Sequence, residues 1–144
     1  MTADPFDLQR FLAAQDAQYA NAIAELGRGR KTTHWMWFIL PQIAGLAMSS
    51  TSRFYAIKSV EEARAYFDHP TLGTRLIECC ETLMLTDGRS AADIFGYPDD
   101  IKLHSSMTLF ANVTGDDSIF KLVLEKYFDG RTDERTIAVL GALG

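Results

Sequence analysis

Apolar side chains recur at intervals of three and four residues along most of this chain, the spacing of an α-helix that buries one face. The first such run covers residues 8–26. Asp4 followed by Pro5 is typical of a helix start, and Asp7 resembles the closing residue of a capping box. Gly27 ends the run. The pattern therefore predicts a first helix of about five turns that begins at Pro5.

The rest of the chain shows the same helical punctuation. Further helices are predicted for residues 33–40, 59–67, 70–83, 90–96, 98–110, 118–129 and 133–143. The second is apolar on every side, which predicts burial, and Thr32 or Thr33 is expected to cap it. Residues 43–53 resemble an irregular loop, and only residues 53–60 suggest a strand. We predict an all-α fold in which six to eight helices pack around one core.

Length and composition agree with one domain that spans residues 1–144. Hydrophobic residues make up 47% and aromatic residues 11% of the chain, values typical of globular proteins. No apolar stretch approaches the ~18 residues of a membrane span. The first residues lack the basic and apolar regions of a signal peptide, so we expect a cytoplasmic protein without a membrane partner.

Charge narrows the class of partner. The net charge of −5 argues against a nucleic-acid polymer, which requires a basic surface. Arg28, Arg30 and Lys31 nevertheless cluster just before His34. A local positive patch on an acidic protein suits a small anionic ligand. The alternative is that these cations complement the dipole at the C-terminus of the first helix.

Candidate chemistry concentrates first in residues 29–42, which hold both tryptophans. His34 has the pKa range of a general acid or base, although it could also bond a carbonyl at a helix start. Trp35 and Trp37 cannot share a helix face. Trp37 resembles a core residue more than Trp35 does, so either both rings are buried in the core or Trp35 stacks on a planar ligand. Gln42 closes the segment as a further polar candidate.

The second concentration is residues 95–110. Gly96 and Pro98 define a rigid turn before Asp99, which is either the N-cap of the next helix or a base or hydroxyl acceptor. Lys102, Ser105 and Ser106 share one helix face and could bind a phosphate or carboxylate. The alternative is that the two serines allow close helix packing. No Gly-x-Ser-x-Gly motif supports a serine hydrolase.

These motifs also carry a family resemblance. Thr-His-Trp-Met-Trp-Phe (33–38), Phe-Gly-Tyr-Pro-Asp (95–99) and Lys-Leu-His-Ser-Ser-Met-Thr-Leu-Phe (102–110) resemble the DUF1810 family of small bacterial and fungal proteins. The resemblance covers nearly the whole chain, with Leu40 and His104 as small departures. It implies where a site lies but no reaction. Some members bear the label calpastatin, a disordered inhibitor, which this globular composition contradicts.

Together these observations predict one cleft where the two segments meet and bind a small anionic, nucleotide-like metabolite. His34 and Asp99 are the catalytic candidates if the protein is an enzyme. The ligand-binding candidates are Arg30, Lys31, Trp35, Gln42, Lys102, Ser105 and Ser106. No Cys/His spacing predicts a metal site, and no cofactor is expected. The alternative is a non-enzymatic module that binds a protein or peptide. The sequence does not indicate the oligomeric state.

Overall fold

The computed structural model describes residues 3–115 and 117–143, and within them the chain forms nine helices and no strand. They are α1 (Gln9–Gly27), α2 (Met36–Ile39), α3 (Ser50–Tyr55), α4 (Val60–Asp68), α5 (Leu72–Leu85), α6 (Ala91–Phe95), α7 (Asp99–Thr114), α8 (Ile119–Phe128) and α9 (Glu134–Leu143). The all-α prediction is confirmed, with one helix more than expected. Among the described residues, none of the helices is long and apolar enough to cross a membrane.

Helices α5 and α7 form the middle of the fold. Helix α5 packs against α1, α4 and α8, and α7 packs against α4, α6, α8 and α9. Residues 105–110 of α7 are all buried, which is more than a full helical turn. This helix therefore lies inside the core and shows no polar face over that stretch. Cys79 and Cys80 are both buried free thiols of α5, and burial raises the pKa of Cys79 to about 12.

Side-chain caps explain several helix starts. Ser59, Ser90 and Ser118 each accept a hydrogen bond from the backbone N–H three residues later. Helix α1 starts at Gln9 rather than at Pro5. Asp4 still caps this end, because its carboxylate accepts from the N–H groups of Leu8 and Gln9. Met1 and Thr2, on which the signal-peptide argument partly rested, lie outside the described residues.

The extra helix, α3, falls in the stretch that the sequence suggested to be a loop and a strand. Ser49 caps its first turn. The guanidinium group of Arg10, on α1, donates to the carbonyls of Phe54 and Ala56 where the helix ends. The only remnant of strand character there is a single parallel bridge between Ile43 and Ile57. A distant partner on α1 therefore stabilises a helix that its own sequence predicts poorly.

Candidate functional site

The loop between α1 and α2 is organised by a buried carboxylate, Glu25 of α1. Its oxygens accept hydrogen bonds from the N–H groups of Thr32 (2.7 Å) and Thr33 (3.0 Å), from the Thr33 hydroxyl, and from the Trp35 indole (3.0 Å). Burial alone would raise the pKa of Glu25, but these bonds lower it to about 2. The sequence suggested that Thr32 or Thr33 caps α2, but neither does. They bind Glu25 instead, and α2 begins only at Met36.

On the facing side, a tight turn delivers Asp99 to the start of α7. Gly96 has a φ of 72°, which favours glycine, and the Tyr97–Pro98 peptide bond is cis. Pro98 occupies the N-cap position, so Asp99 is the first residue of the helix and makes no side-chain cap bond. The N-cap interpretation of Asp99 is therefore wrong.

Asp99 instead lies between two ammonium groups. Its Oδ2 is 2.8 Å from Lys31 Nζ, and its Oδ1 is 3.6 Å from Lys102 Nζ. Lys31 Nζ also donates to the carbonyl of Thr33 at 2.6 Å, and its backbone N–H bonds Ile94 of α6. Lys31 is thus committed to holding the loop against α6 and α7. The two sequence segments meet at this ion pair.

Lys102 is placed differently from Lys31. Within residues 3–115 and 117–143, no acceptor takes a hydrogen bond from its ammonium group. The Lys102 ammonium is 3.6 Å from the Asp99 carboxylate, which makes an ion pair without a hydrogen bond. The Lys102 ammonium lies 5.1 Å from the centre of the Trp37 ring, within the range of a cation–π contact. Lys102 therefore keeps donors available to a ligand, whereas Lys31 has two of its three N–H donors engaged and a side chain that is only 7% exposed.

The two tryptophans have exchanged the roles that the sequence suggested. Trp35 is fully buried, with 0% exposure, and packs edge-on against Phe95 below the Lys31 ammonium. It cannot contact a ligand directly. Trp37 is half-buried and forms a wall of the cleft. The reason is the hydrogen bond from the Trp35 indole to Glu25, which a sequence pattern does not reveal.

The space between the two segments is a cleft of about 390 Å³. It is lined by Lys31, Thr32, Thr33, His34, Met36, Trp37, Phe95, Tyr97, Pro98, Asp99 and Lys102. The His34 side chain is exposed on it, and in the described part of the chain no hydrogen bond to a carbonyl holds its ring. Tyr97 stands on the rim and is 81% exposed. The cleft is thus lined by two ammonium groups, a carboxylate, an imidazole and three aromatic rings.

Four other predicted residues lie outside this cleft. Arg30 is exposed but does not line it, and Gln42 lines a separate small niche on the Leu40 side of Trp37. Ser105 and Ser106 are buried. Ser105 donates to Asp133 (2.7 Å), and the Ser106 hydroxyl has no partner among the described residues. The prediction that these serines bind a ligand beside Lys102 is wrong, because α7 turns them toward the interior.

Two residues of the site were missed at the level of sequence. Glu25 follows Ala22 and precedes Leu26, both fully buried, so it stands at a core position of α1. A carboxylate on the apolar face of a helix is the signal that could have identified it. Tyr97 stands at the variable position of the Phe-Gly-x-Pro-Asp motif, so the motif did not identify it. Only its exposure in the structure identifies it as a residue of the site.

Comparison with known proteins shows the family to which this chain belongs. Residues 5–140 match the family described as "Protein of unknown function (DUF1810)". The chain belongs to this family. The DUF1810 fold is also seen in the crystal structure of the conserved hypothetical protein Rv1873 from Mycobacterium tuberculosis, which is 50% identical. The similarity covers 96% of this chain and 99% of that one, with a TM-score of 0.94. No curated protein is significantly similar.

Proposed function

We propose that this DUF1810 protein binds a small anionic, nucleotide-like metabolite in the cleft between the loop before α2 and the start of α7. The observation that carries the proposal is the Lys102 ammonium group, which faces the cleft with free donors above the Trp37 ring. An anionic group of the ligand would bind Lys102, and a planar group would stack on Trp37. The cleft volume of about 390 Å³ is within the range of small-molecule sites.

Asp99 and Lys31 complete the binding role. The Asp99 carboxylate still has lone pairs directed at neither lysine, because a carboxylate accepts about four hydrogen bonds. It would accept hydrogen bonds from ligand hydroxyl groups such as those of a ribose. Lys31 would not touch the ligand but would hold Asp99 in place. The side chains of Lys31, Lys102 and Asp99 together carry a charge of about +1 at neutral pH, which favours binding of an anion.

The same arrangement suits acid–base chemistry on the bound molecule. The exposed imidazole of His34 and the carboxylate of Asp99 line the same cleft, so one could donate and the other accept a proton.

We assign the protein to the cytoplasm, because its two cysteines are free thiols of the kind that a reducing compartment maintains.

A thermal-shift screen over nucleotides and sugar phosphates tests the binding proposal. A ligand present at 100 times its dissociation constant stabilises the fold by about 2.7 kcal/mol, which gives a clear rise in Tm. Lys102→Gln should weaken binding of any hit at least about tenfold with little loss of stability. Lys121→Gln, a half-buried lysine of α8, is the matched control and should bind normally. A hit that binds Lys102→Gln as tightly as the wild type would exclude this cleft.

The competing hypothesis is a surface that binds a protein or peptide. One observation favours it: Tyr97 and Ile101, both beside the cleft, expose apolar surface to solvent. The two hypotheses differ in what Tyr97→Ser changes. A small-molecule site centred on Lys102 should tolerate the loss of this rim residue better than the loss of Trp37. If Tyr97→Ser abolished binding and Trp37→Ser did not, the peptide-binding surface would be preferred.

A further inference from the structure

A second, larger cleft lies where the N-terminal segment meets α3 and the start of α4. Its volume is about 740 Å³, and most of its lining is apolar. Pro5, Phe6 and Phe54 form its walls, and Arg53 and Lys58 stand at its mouth. None of these residues belongs to the cleft around Lys102. A mainly apolar cavity with a few charged groups is the usual form of a small-molecule site.

The floor of this cleft is rigid. Arg10 and Glu62 are buried there and form an ion pair of 2.6 Å. The Arg10 guanidinium group uses all five of its N–H donors, one on Glu62 and four on backbone carbonyls. Those carbonyls belong to Phe6, Asp7, Phe54 and Ala56. Arg10 therefore links the N-terminal wall to the α3 wall but keeps no donor for a ligand.

The walls leave a hydrophobic surface uncovered. Phe54 is 54% exposed, and its ring touches only the edge of the Tyr55 ring among the aromatic contacts of the described residues. Exposed aromatic surface of this kind is stabilised when an apolar molecule covers it. The body of a ligand for this cleft should therefore be apolar.

The mouth determines the charge of that ligand. Arg53 and Lys58 are both exposed, and in the described part of the chain neither lies within ion-pair distance of a carboxylate. Asp7 is also at the mouth, so the three side chains together carry a charge of about +1. Two cations without a carboxylate partner therefore lie beside an apolar wall, and Lys58 Nζ uses one of its three donors on the Ala56 carbonyl, at 3.3 Å. They complement a single anionic head group.

We propose that this cleft is a second binding site, for a hydrophobic molecule that carries one carboxylate. The apolar body would lie against Phe6 and Phe54, and the carboxylate would bind Arg53 and Lys58. This proposal is independent of the function assigned to the Lys102 cleft.

Octanoate is a suitable probe, with 1-octanol as its neutral counterpart and acetate as its head group alone. In ¹⁵N–¹H spectra of the full chain, octanoate should shift the amides of residues 53–59 in a saturable way. It should bind at least about tenfold more tightly than 1-octanol, as expected for two partly exposed ion pairs. Acetate should cause no saturable shift, because it lacks the apolar body.

Variants separate the two contributions. Arg53→Gln combined with Lys58→Gln should weaken octanoate binding about tenfold and leave 1-octanol binding unchanged. Phe54→Ser should weaken both. Arg64→Gln and Leu122→Ser, which change an exposed arginine and a 47% exposed leucine elsewhere, are the controls. All these side chains are on the surface, so the variants should fold, and Tm measurements will verify this.

Several outcomes would overturn the proposal. Equal affinity for octanoate and 1-octanol would show that the cations are not used. Unchanged octanoate binding by the double variant would lead to the same conclusion. Shifts confined to residues 31–37 and 97–102 would assign the carboxylate to the Lys102 cleft, and a response that never saturates would show that no site exists.

Discussion

At the scale of single residues, the two tryptophans illustrate how neighbours in sequence take unrelated roles. Trp35 is enclosed by the core and donates to Glu25, whereas Trp37 forms a wall of the cleft below Lys102. The energetic consequences of losing each ring should therefore differ in kind.

Trp35→Ala should behave as a core truncation and lower the free energy of unfolding by about 3–5 kcal/mol. Trp37→Ala should cost less, because its ring is only half-buried, but it should weaken binding of any ligand of the Lys102 cleft. Urea unfolding and the thermal-shift screen measure the two effects. Equal destabilisation by both substitutions, with ligand binding intact, would show that neither ring serves the site.

Glu25 predicts a pH dependence of stability. Its pKa is about 2 in the fold and 4.5 in its ordinary state. Because the folded value is the lower one, the stabilisation is complete above about pH 4.5 and is lost as the pH falls toward 2. The difference corresponds to at most about 3 kcal/mol. The Glu25→Gln variant, which has no ionisable group at this position, should lack this stabilisation.

Urea unfolding of the wild type and of Glu25→Gln at a series of pH values measures this contribution. The gap in unfolding free energy between the two proteins should narrow steadily as the solution becomes more acidic. Glu61→Gln, an exposed side chain of α4, controls for the substitution itself. A gap that stays constant from neutral pH to about pH 2 would contradict the assigned role of the carboxylate.

At the scale of elements, the joint between α4 and α5 depends on one glycine. A Cβ atom on Gly73 would lie 1.9 Å from the carbonyl oxygen of Phe67, which is backbone and cannot move aside cheaply. The first turn of α5 can therefore approach the end of α4 only because residue 73 has no side chain.

Gly73→Ala should lower the unfolding free energy by about 3 kcal/mol or more, because the two helices must separate to admit the methyl group. Gly141→Ala is the matched control: this glycine also lies in a helix, α9, but a Cβ there meets nothing within 4 Å. It should be neutral or stabilising by about 0.5–1 kcal/mol. Similar Tm values for Gly73→Ala and the wild type would disprove the close approach.

At the scale of the whole molecule, the Lys31–Asp99 ion pair joins the loop after α1 to the start of α7. The Lys31 side chain is 7% exposed and that of Asp99 is 20% exposed, so neither charge is well solvated alone. Asp99→Asn should therefore reduce stability, which would not follow if Asp99 were a helix cap that Asn replaces equally well.

A double-mutant cycle with Lys31→Met and Asp99→Asn measures this link. We expect a coupling energy of about 1–3 kcal/mol in unfolding experiments. Asp100→Asn, one residue along, should change stability by no more than about 0.5–1 kcal/mol, because Asp100 makes no ion pair among the described residues. Its carboxylate interacts with the helix dipole and accepts one hydrogen bond from the N–H of Ile101, which an Asn oxygen can also accept. Additive single substitutions would show that the two segments are held together by other contacts.

The sequence alone determined the features of this protein that depend on local interactions. Helical periodicity and the serine caps at Ser59, Ser90 and Ser118 predicted the all-α fold and most helix starts, since each needs only residues three or four positions away. The two polar segments also indicated where Lys31, His34, Asp99 and Lys102 would gather. In the structure these four side chains line one cleft, whereas five other candidates from the same segments do not: Arg30, Trp35, Gln42, Ser105 and Ser106.

Only the tertiary structure decided which group faces the ligand and which is buried. Glu25 drew Trp35 into the core, Asp133 engaged Ser105 inside the fold, and Arg10 stabilised α3 in a stretch whose own sequence suggested a loop. In each case the deciding hydrogen-bond partner comes from another element of the fold. A partner of that kind is set by how the helices pack, and no periodicity within a single segment can encode it.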